Sequence, residues 1–168
     1  RLGEILRGVY LVRHVAPKTY NQILSYGERL SARIIAASLV ELGSEAEFID
    51  SRHFVRTDDN YSSGRVDFEV TNKNISTYFK EHDSTQIITG FIASNSQGET
   101  TTLGRSGSDY SAAIFGAALG ASEIEIWTDV DGILTANPRE VPAAYPIPVM
   151  TYEDAMEMSH FGAKVIFP

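Results

Sequence analysis

The segment Leu103-Gly104-Arg105-Ser106-Gly107-Ser108-Asp109 holds the residue types that an anion site requires. Two glycines bracket an arginine, and a serine and an aspartate follow just before the nearly apolar run Ala112–Ala121. Backbone N–H groups left open at a helix start, together with the positive end of the helix, attract a carboxylate or a phosphate. Arg105 adds a forked donor that matches either group. The same residues also suit a plain turn with Ser108 as helix N-cap and Asp109 behind it. Residue type alone does not separate the two readings. The spacing fits neither the phosphate loop G-x-x-x-x-G-K-[ST] nor the dinucleotide fingerprint G-x-G-x-x-G.

Four other places carry polar chemistry. In Trp127-Thr128-Asp129-Val130-Asp131-Gly132, Thr128 and Asp129 fall where a strand would end, positioned for a ribose, a base or a metal-phosphate group. An Asx turn closed by Gly132 explains them equally, and the further ligand positions of a calcium loop are missing. Arg139, in the Pro-rich stretch after Asn137-Pro138, reaches a phosphate or is a solvated charge. Lys164 follows Gly162 after a helix and serves a nucleotide or offsets the helix dipole. Glu28 lies three residues after Ser25, an S-x-x-E capping box before an apolar run. A first-turn carboxylate there can instead hold a substrate ammonium group. His14, His53, His82 and His160 show no metal spacing, and no nucleophile elbow occurs.

Helices and strands alternate around these loops. The spacing predicts helices over Tyr26–Leu42 with Gly43 as stop, Thr71–Glu81, Asp109–Gly120 and Thr151–Phe161, the last with Thr151 and Asp154 as a capping pair. Strands are expected over Ala46–Asp50, Gln86–Ala93, Thr100–Leu103, Glu123–Thr128 and Ala163–Phe167, with a turn at Ser96-Gln97-Gly98. This order implies βαβ units and a mostly parallel sheet. Ligands of such sheets sit in loops at the carboxyl ends of the strands.

The 168 residues amount to one domain. A net charge of −8 and a pI near 4.9 argue against a general nucleic-acid binder. With no cysteine, disulfides and thiolate metal sites are impossible. No apolar run approaches the length of a membrane span. A cytoplasmic location suits this composition.

Taken in order, Ser25-Tyr26-Gly27-Glu28 with Leu30-Ser31, Gly90-Phe91-Ile92, Thr100–Tyr110, Ile126–Gly132, Pro138-Arg139, and Tyr152–Glu157 running on to Phe161–Val165 closely resemble the aspartate kinase branch of the amino-acid kinase family. The resemblance implies a three-layer αβα sandwich. It also implies ATP-dependent phosphorylation of the β-carboxylate of L-aspartate to 4-phospho-L-aspartate, the first step toward lysine, threonine and methionine. Glu28 would hold the substrate amino group, and Arg105, Ser106, Gly107 and Ser108 the substrate carboxylate. Arg105 and Asp109 would serve the reaction centre. Thr128, Asp129, Leu134, Arg139, Lys164 and Val165 would line the ATP site, with Mg²⁺ bound mainly through phosphates and no dedicated protein metal site. The full-length protein would be a homo-oligomer. Departures accompany the match. The family's initial Lys-Phe-Gly-Gly loop is absent, so residues 1–168 are expected to be the C-terminal portion of such a domain, with little kinase activity alone. Leu134 stands where many relatives have tyrosine, Ser106 where glycine is usual, and Phe167 where histidine is frequent. Competing readings are a kinase of the same fold acting on glutamate, carbamate or a nucleoside monophosphate, and a non-catalytic binding module.

Overall fold

The computed structural model describes residues 1–160, which fall into two compact units, Arg1–Ile124 and the part of the chain from Glu125 onward. The expected strand at Ala163–Phe167 lies outside the described residues. The first unit contains α1 (Leu2–Val12), α2 (Pro17–Glu41), β1 (Ala46–Ile49), a 3₁₀ turn (Ser51–His53), α3 (Phe68–Phe79), β2 (Thr85–Ile88), β3 (Ile92–Ser94), β4 (Thr100–Thr102) and α4 (Gly107–Leu119). The second contains α5 (Tyr152–His160).

Helix α2 is longer than the sequence pattern suggests. It starts at Pro17, whose missing N–H costs nothing at a first helical position, after an extended Ala16. Ser25 is therefore inside the helix, and its hydroxyl donates to the Gln22 carbonyl at 2.7 Å. The capping-box reading of Ser25 and Glu28 is overturned, because both residues lie turns away from the helix start. Asn21, Ser25, Ala32 and Ala36 form the buried stripe of α2, and Glu28 sits half-buried between them at helical spacing. Gly43, at φ +87°, closes the helix as expected, with the Ser44 N–H on the Leu39 carbonyl. Helix α3 begins at Phe68, three residues before the expected start, because the Asp67 side chain accepts from the Val70 N–H.

Strands β1 and β2 pair in parallel from Ala46↔Thr85 to Ile49↔Ile88, and β3 and β4 pair antiparallel from Ile92↔Thr102 to Ser94↔Thr100. Alternation along a strand sends neighbouring side chains to opposite faces. On β1, Phe48 lies under the Arg33 guanidinium of α2 while Ile49 enters the core with Phe54, Val55, Ile75, Ala93, Leu103, Ile114 and Phe115. Thus α2 covers one face and α3, packed on α4, covers the other, which makes an α/β arrangement of three layers. Phe54 and Phe79 both meet Phe115 edge-on and join the helices across the core.

Two strand expectations change. Gln86–Ala93 is not one strand. The chain turns sharply at Thr89-Gly90-Phe91 and separates β2 from β3. Glu123–Thr128 is not a strand among the described residues, because no neighbouring strand pairs with its backbone. Thr151 and Asp154 do form a reciprocal cap on α5, with Asp154 N–H to Thr151 Oγ1 at 3.1 Å and Thr151 Oγ1 to the Asp154 carboxylate at 2.8 Å.

Candidate functional site

The loop Leu103–Asp109 hangs between β4 and α4. Three consecutive buried threonines make up β4, and each hydroxyl is satisfied. Thr100 accepts from Arg52 at 2.9 Å, Thr101 pairs with Thr57 at 2.8 Å, and Thr102 donates to Asn21 Oδ1 at 2.8 Å. Asn21 also donates to Ser62 and to the Pro17 carbonyl, both at 2.9 Å, so β4 is bolted to the first turns of α2. At the far end of the β3–β4 hairpin, Glu99 takes a hydrogen bond from Lys18 and another from Tyr61 at 2.5 Å. Chiefly through Lys18, then Tyr61 and Asn95, the Glu99 carboxyl is held down to about 2. These contacts fix the strand that leads into the loop carrying Arg105.

Helix α4 begins with Gly107, and its N-cap is Ser106 rather than the expected Ser108. Ser106 takes φ +53°, a left-handed conformation that glycine adopts freely and serine does not, and its side chain makes no capping bond. The Gly107 N–H reaches the Gly104 carbonyl at 3.2 Å and the Tyr110 N–H reaches the Ser106 carbonyl at 3.0 Å. The N–H groups of Ser108 and Asp109 find no acceptor among the described residues. Exposed Arg105 stands two residues before the helix, and Asp109 lies half-exposed in its first turn. The arrangement is a helix start with two open donors beside a guanidinium, suited to a carboxylate or phosphate.

The turn between β2 and β3 backs this loop. The Ile92 N–H bonds the Gly90 carbonyl at 2.7 Å, and Phe91 between them has φ +66°. This is the positive-φ form of the γ-turn, rare and strained for a side-chain-bearing residue, with a cost of about 1–3 kcal/mol. Two glycines permit the contact. A Cβ on Gly90 would meet Ser108 Oγ at 3.0 Å and its Cα at 3.1 Å, and one on Gly107 would meet Phe91 Cδ2 at 2.8 Å. The only signal of the strained turn at Phe91 in the residue pattern is the glycine before it.

Glu28 hangs from the buried stripe of α2. Its carboxylate makes no hydrogen bond or ion pair among the described residues, and burial alone pushes its pKa above the ordinary value. A desolvated carboxylate without a partner is suited to receiving a cation. A cleft of about 290 Å³ lined by Lys18, Arg29, Arg52, Glu99 and Thr100 lies at the hairpin end and contains none of the sequence-predicted site residues.

The remaining expected residues belong to the second unit. Thr128 and Asp129 are exposed, with the Thr128 hydroxyl 3.3 Å from Asp129 Oδ1. Leu134 is half-buried in an antiparallel bridge to Pro146. Arg139 is exposed, and its N–H is taken by Asn137 Oδ1 at 3.1 Å, so Asn137 organises the turn that presents it. Lys164 and Val165 lie outside the described residues.

An α/β chain with an open helix start behind a Gly-rich strand end has the features of a small-molecule phosphotransferase domain. The profile of the Amino acid kinase family matches residues 5–168, and the chain belongs to that family. It is 39% identical over 168 residues to a bifunctional aspartokinase/homoserine dehydrogenase of Buchnera aphidicola, with 99% of this chain and 21% of that protein covered. It is 36% identical over 173 residues to the chloroplastic aspartokinase 1 of Arabidopsis thaliana, covering 99% of this chain and 30% of that protein. Among solved structures, E. coli aspartokinase III in complex with aspartate and ADP, in its R-state, matches with a TM-score of 0.88 at 35% identity. That match covers 99% of this chain and 39% of that one. The chain therefore spans about a fifth to a third of the length of those two sequence relatives. Among the described residues, no helix is long and apolar enough to cross a membrane.

Proposed function

We propose that a polypeptide carrying this chain transfers the γ-phosphoryl group of ATP to the β-carboxylate of L-aspartate, giving 4-phospho-L-aspartate and ADP. The observation that carries this reading is the uncapped first turn of α4 beside Arg105, in a chain 35% identical to an aspartokinase captured with aspartate and ADP. In this reading Arg105, Ser106, Gly107 and Ser108 receive a substrate carboxylate, Glu28 the ammonium group, and Asp109 orders the reacting end. Thr128, Asp129, Leu134, Arg139, Lys164 and Val165 serve the nucleotide.

The chemistry asks little of acid–base groups. A free aspartate side chain has a reference pKa of about 3.9, so the nucleophile is ionised at neutral pH. One carboxylate oxygen attacks the γ-phosphorus, the bond to the ADP oxygen breaks, and no proton need move. The work is positioning and neutralising charge, which backbone N–H groups and guanidinium donors do. Mg²⁺ would come bound through the phosphate oxygens and supply further neutralisation. A homo-oligomer and a cytoplasmic location are part of the same reading, and the chloroplastic relatives make the location a matter for fractionation.

The test is to trap acyl phosphate as hydroxamate while ATP and one acceptor are supplied. The reading expects product with aspartate and not with glutamate, and Arg105→Lys should raise the aspartate KM. Preference for glutamate, carbamate or a nucleoside monophosphate would move the chain to another activity of the same fold. Absence of any nucleotide or aspartate binding would leave a binding module.

A further inference from the structure

We propose that Ser111 is the positioning residue of this loop. Its hydroxyl clamps the γ-turn at Phe91 onto the first turn of α4, and so sets the open donors of Ser108 and Asp109 relative to Arg105. The inference rests on the reading of the loop as the aspartate-binding wall, and names a residue behind that wall which touches no ligand.

Ser111 is 4% exposed and lies one turn into α4. Its Oγ donates to the Gly107 carbonyl at 2.8 Å and accepts the Phe91 N–H at 2.9 Å. A hydroxyl has one proton to give and lone pairs to receive, so both bonds coexist. A serine bonded only to the carbonyl four residues back would be an ordinary helix serine. The second bond is different in kind, because it crosses to the turn and holds a backbone that sterics disfavour. Phe91 has φ +66°, and a strained residue persists only where its surroundings over-determine it.

Three further contacts converge on the same turn. The Phe91 carbonyl accepts the Leu103 N–H at 2.8 Å, which ties the turn to the end of β4 just before Arg105. Gly107 leaves room for the Phe91 ring, and Gly90 leaves room for Ser108. Phe91 is thus gripped from β4 through its carbonyl and from α4 through its N–H. Without the Ser111 hydroxyl, the Phe91 N–H loses its acceptor. The turn is then free to relax toward negative φ, where the ring and the Gly90 backbone would no longer seat against Gly107 and Ser108. The first turn of α4 would lose its backing, with Arg105 still attached to β4. A ground-state binding defect follows, confined to the ligand that uses these donors.

The test compares Ser111→Ala with Ser111→Thr, whose hydroxyl keeps both bonds. Amide hydrogen exchange on the 168-residue chain reads the clamp directly. Exchange at Phe91 should quicken about tenfold or more in Ser111→Ala and return in Ser111→Thr. The Ser94 N–H, bonded to the Val55 carbonyl, should not change. In the polypeptide that carries the activity, Ser111→Ala should raise the aspartate KM about five- to tenfold, as one lost hydrogen bond would. The ATP KM and kcat should stay within about twofold, and threonine should restore the aspartate KM. Unchanged exchange at Phe91 overturns the clamp. A fall in melting temperature with an unchanged aspartate KM, or an equal rise in both KM values, overturns the positioning role. If the wild-type polypeptide does not phosphorylate aspartate, the functional reading fails, and exchange at Phe91 still decides whether the clamp exists.

Discussion

Replacing Glu28 by glutamine should weaken aspartate binding and stabilise the fold at the same time. Glu28 is half-buried on the strand-facing stripe of α2, with no hydrogen bond or ion pair among the described residues, and burial raises its pKa above the ordinary 4.5. A carboxylate in that position is kept against its own solvation. Glutamine retains the shape and removes the charge. Losing a charge-assisted bond to an ammonium group costs about 1.5–3 kcal/mol, which is about 10- to 150-fold in affinity. The expected result is a rise of that size in the aspartate Kd or KM, with the ATP value unaffected. The folded protein should melt higher, because the desolvated charge is gone. The pH signs follow from the raised pKa. The native state binds the Glu28 proton more tightly than the unfolded state does. The stabilisation this gives is present below about 4.5 and lost as pH rises through the native pKa. Aspartate affinity runs the other way, falling as acidification protonates Glu28, and the glutamine variant should lack that dependence. A variant that melts lower and binds aspartate normally would show Glu28 to be a structural residue that holds no ammonium group.

Other outcomes follow from the same contacts. Gly107→Ala places a methyl 2.8 Å from the Phe91 ring and 3.3 Å from its Cα, so denaturant unfolding should show a loss of about 1–3 kcal/mol. Ser106→Gly should relieve about 1–2 kcal/mol of left-handed strain and cost about 0.5–1 kcal/mol of backbone freedom. The net gain in stability is then about 0–1.5 kcal/mol, readable from the urea midpoint. Glu99, held down to about 2 chiefly by Lys18, stabilises the fold above the ordinary 4.5, and this contribution is lost as pH falls toward 2. Glu99→Gln should therefore flatten the decline of the urea midpoint over that window, and an unchanged slope would remove the network from the account.

Much of the local structure around the candidate site was legible because its residues act locally. Two glycines and an arginine before an apolar run mark a strand end and a helix start without any tertiary knowledge, while residue types alone left an anion site and a plain turn as equal readings. Helix stops at Gly43 and Gly120 and the α5 cap were legible for the same reason. The start of α2 was misplaced because S-x-x-E fits a cap and also fits a helix interior. Pro17 was the informative residue, since proline at N1 fixes a start that a capping box only suggests. The break at Phe91 was not legible, because Gln86–Ala93 reads as a buried strand in which Gly90 is a weak hint of a turn. What divides it is tertiary: Ser111, Leu103 and Gly107 impose a backbone that phenylalanine does not choose. Glu123–Thr128 failed for the opposite reason, since it has strand composition but no neighbouring ladder among the described residues.

In the proposed reaction a carboxylate oxygen of aspartate attacks the γ-phosphorus. The direct measurement uses aspartate labelled with ¹⁸O in its β-carboxylate, ATP, Mg²⁺ and hydroxylamine, with the polypeptide that carries this chain. Hydroxylamine takes the acyl carbon and releases phosphate, so the bridging oxygen leaves with phosphorus. That reaction yields phosphate carrying one ¹⁸O atom, seen as an isotope-shifted ³¹P resonance. Phosphate without ¹⁸O, formed at the same rate whether or not aspartate is present, would mean that water is the acceptor and would contradict it.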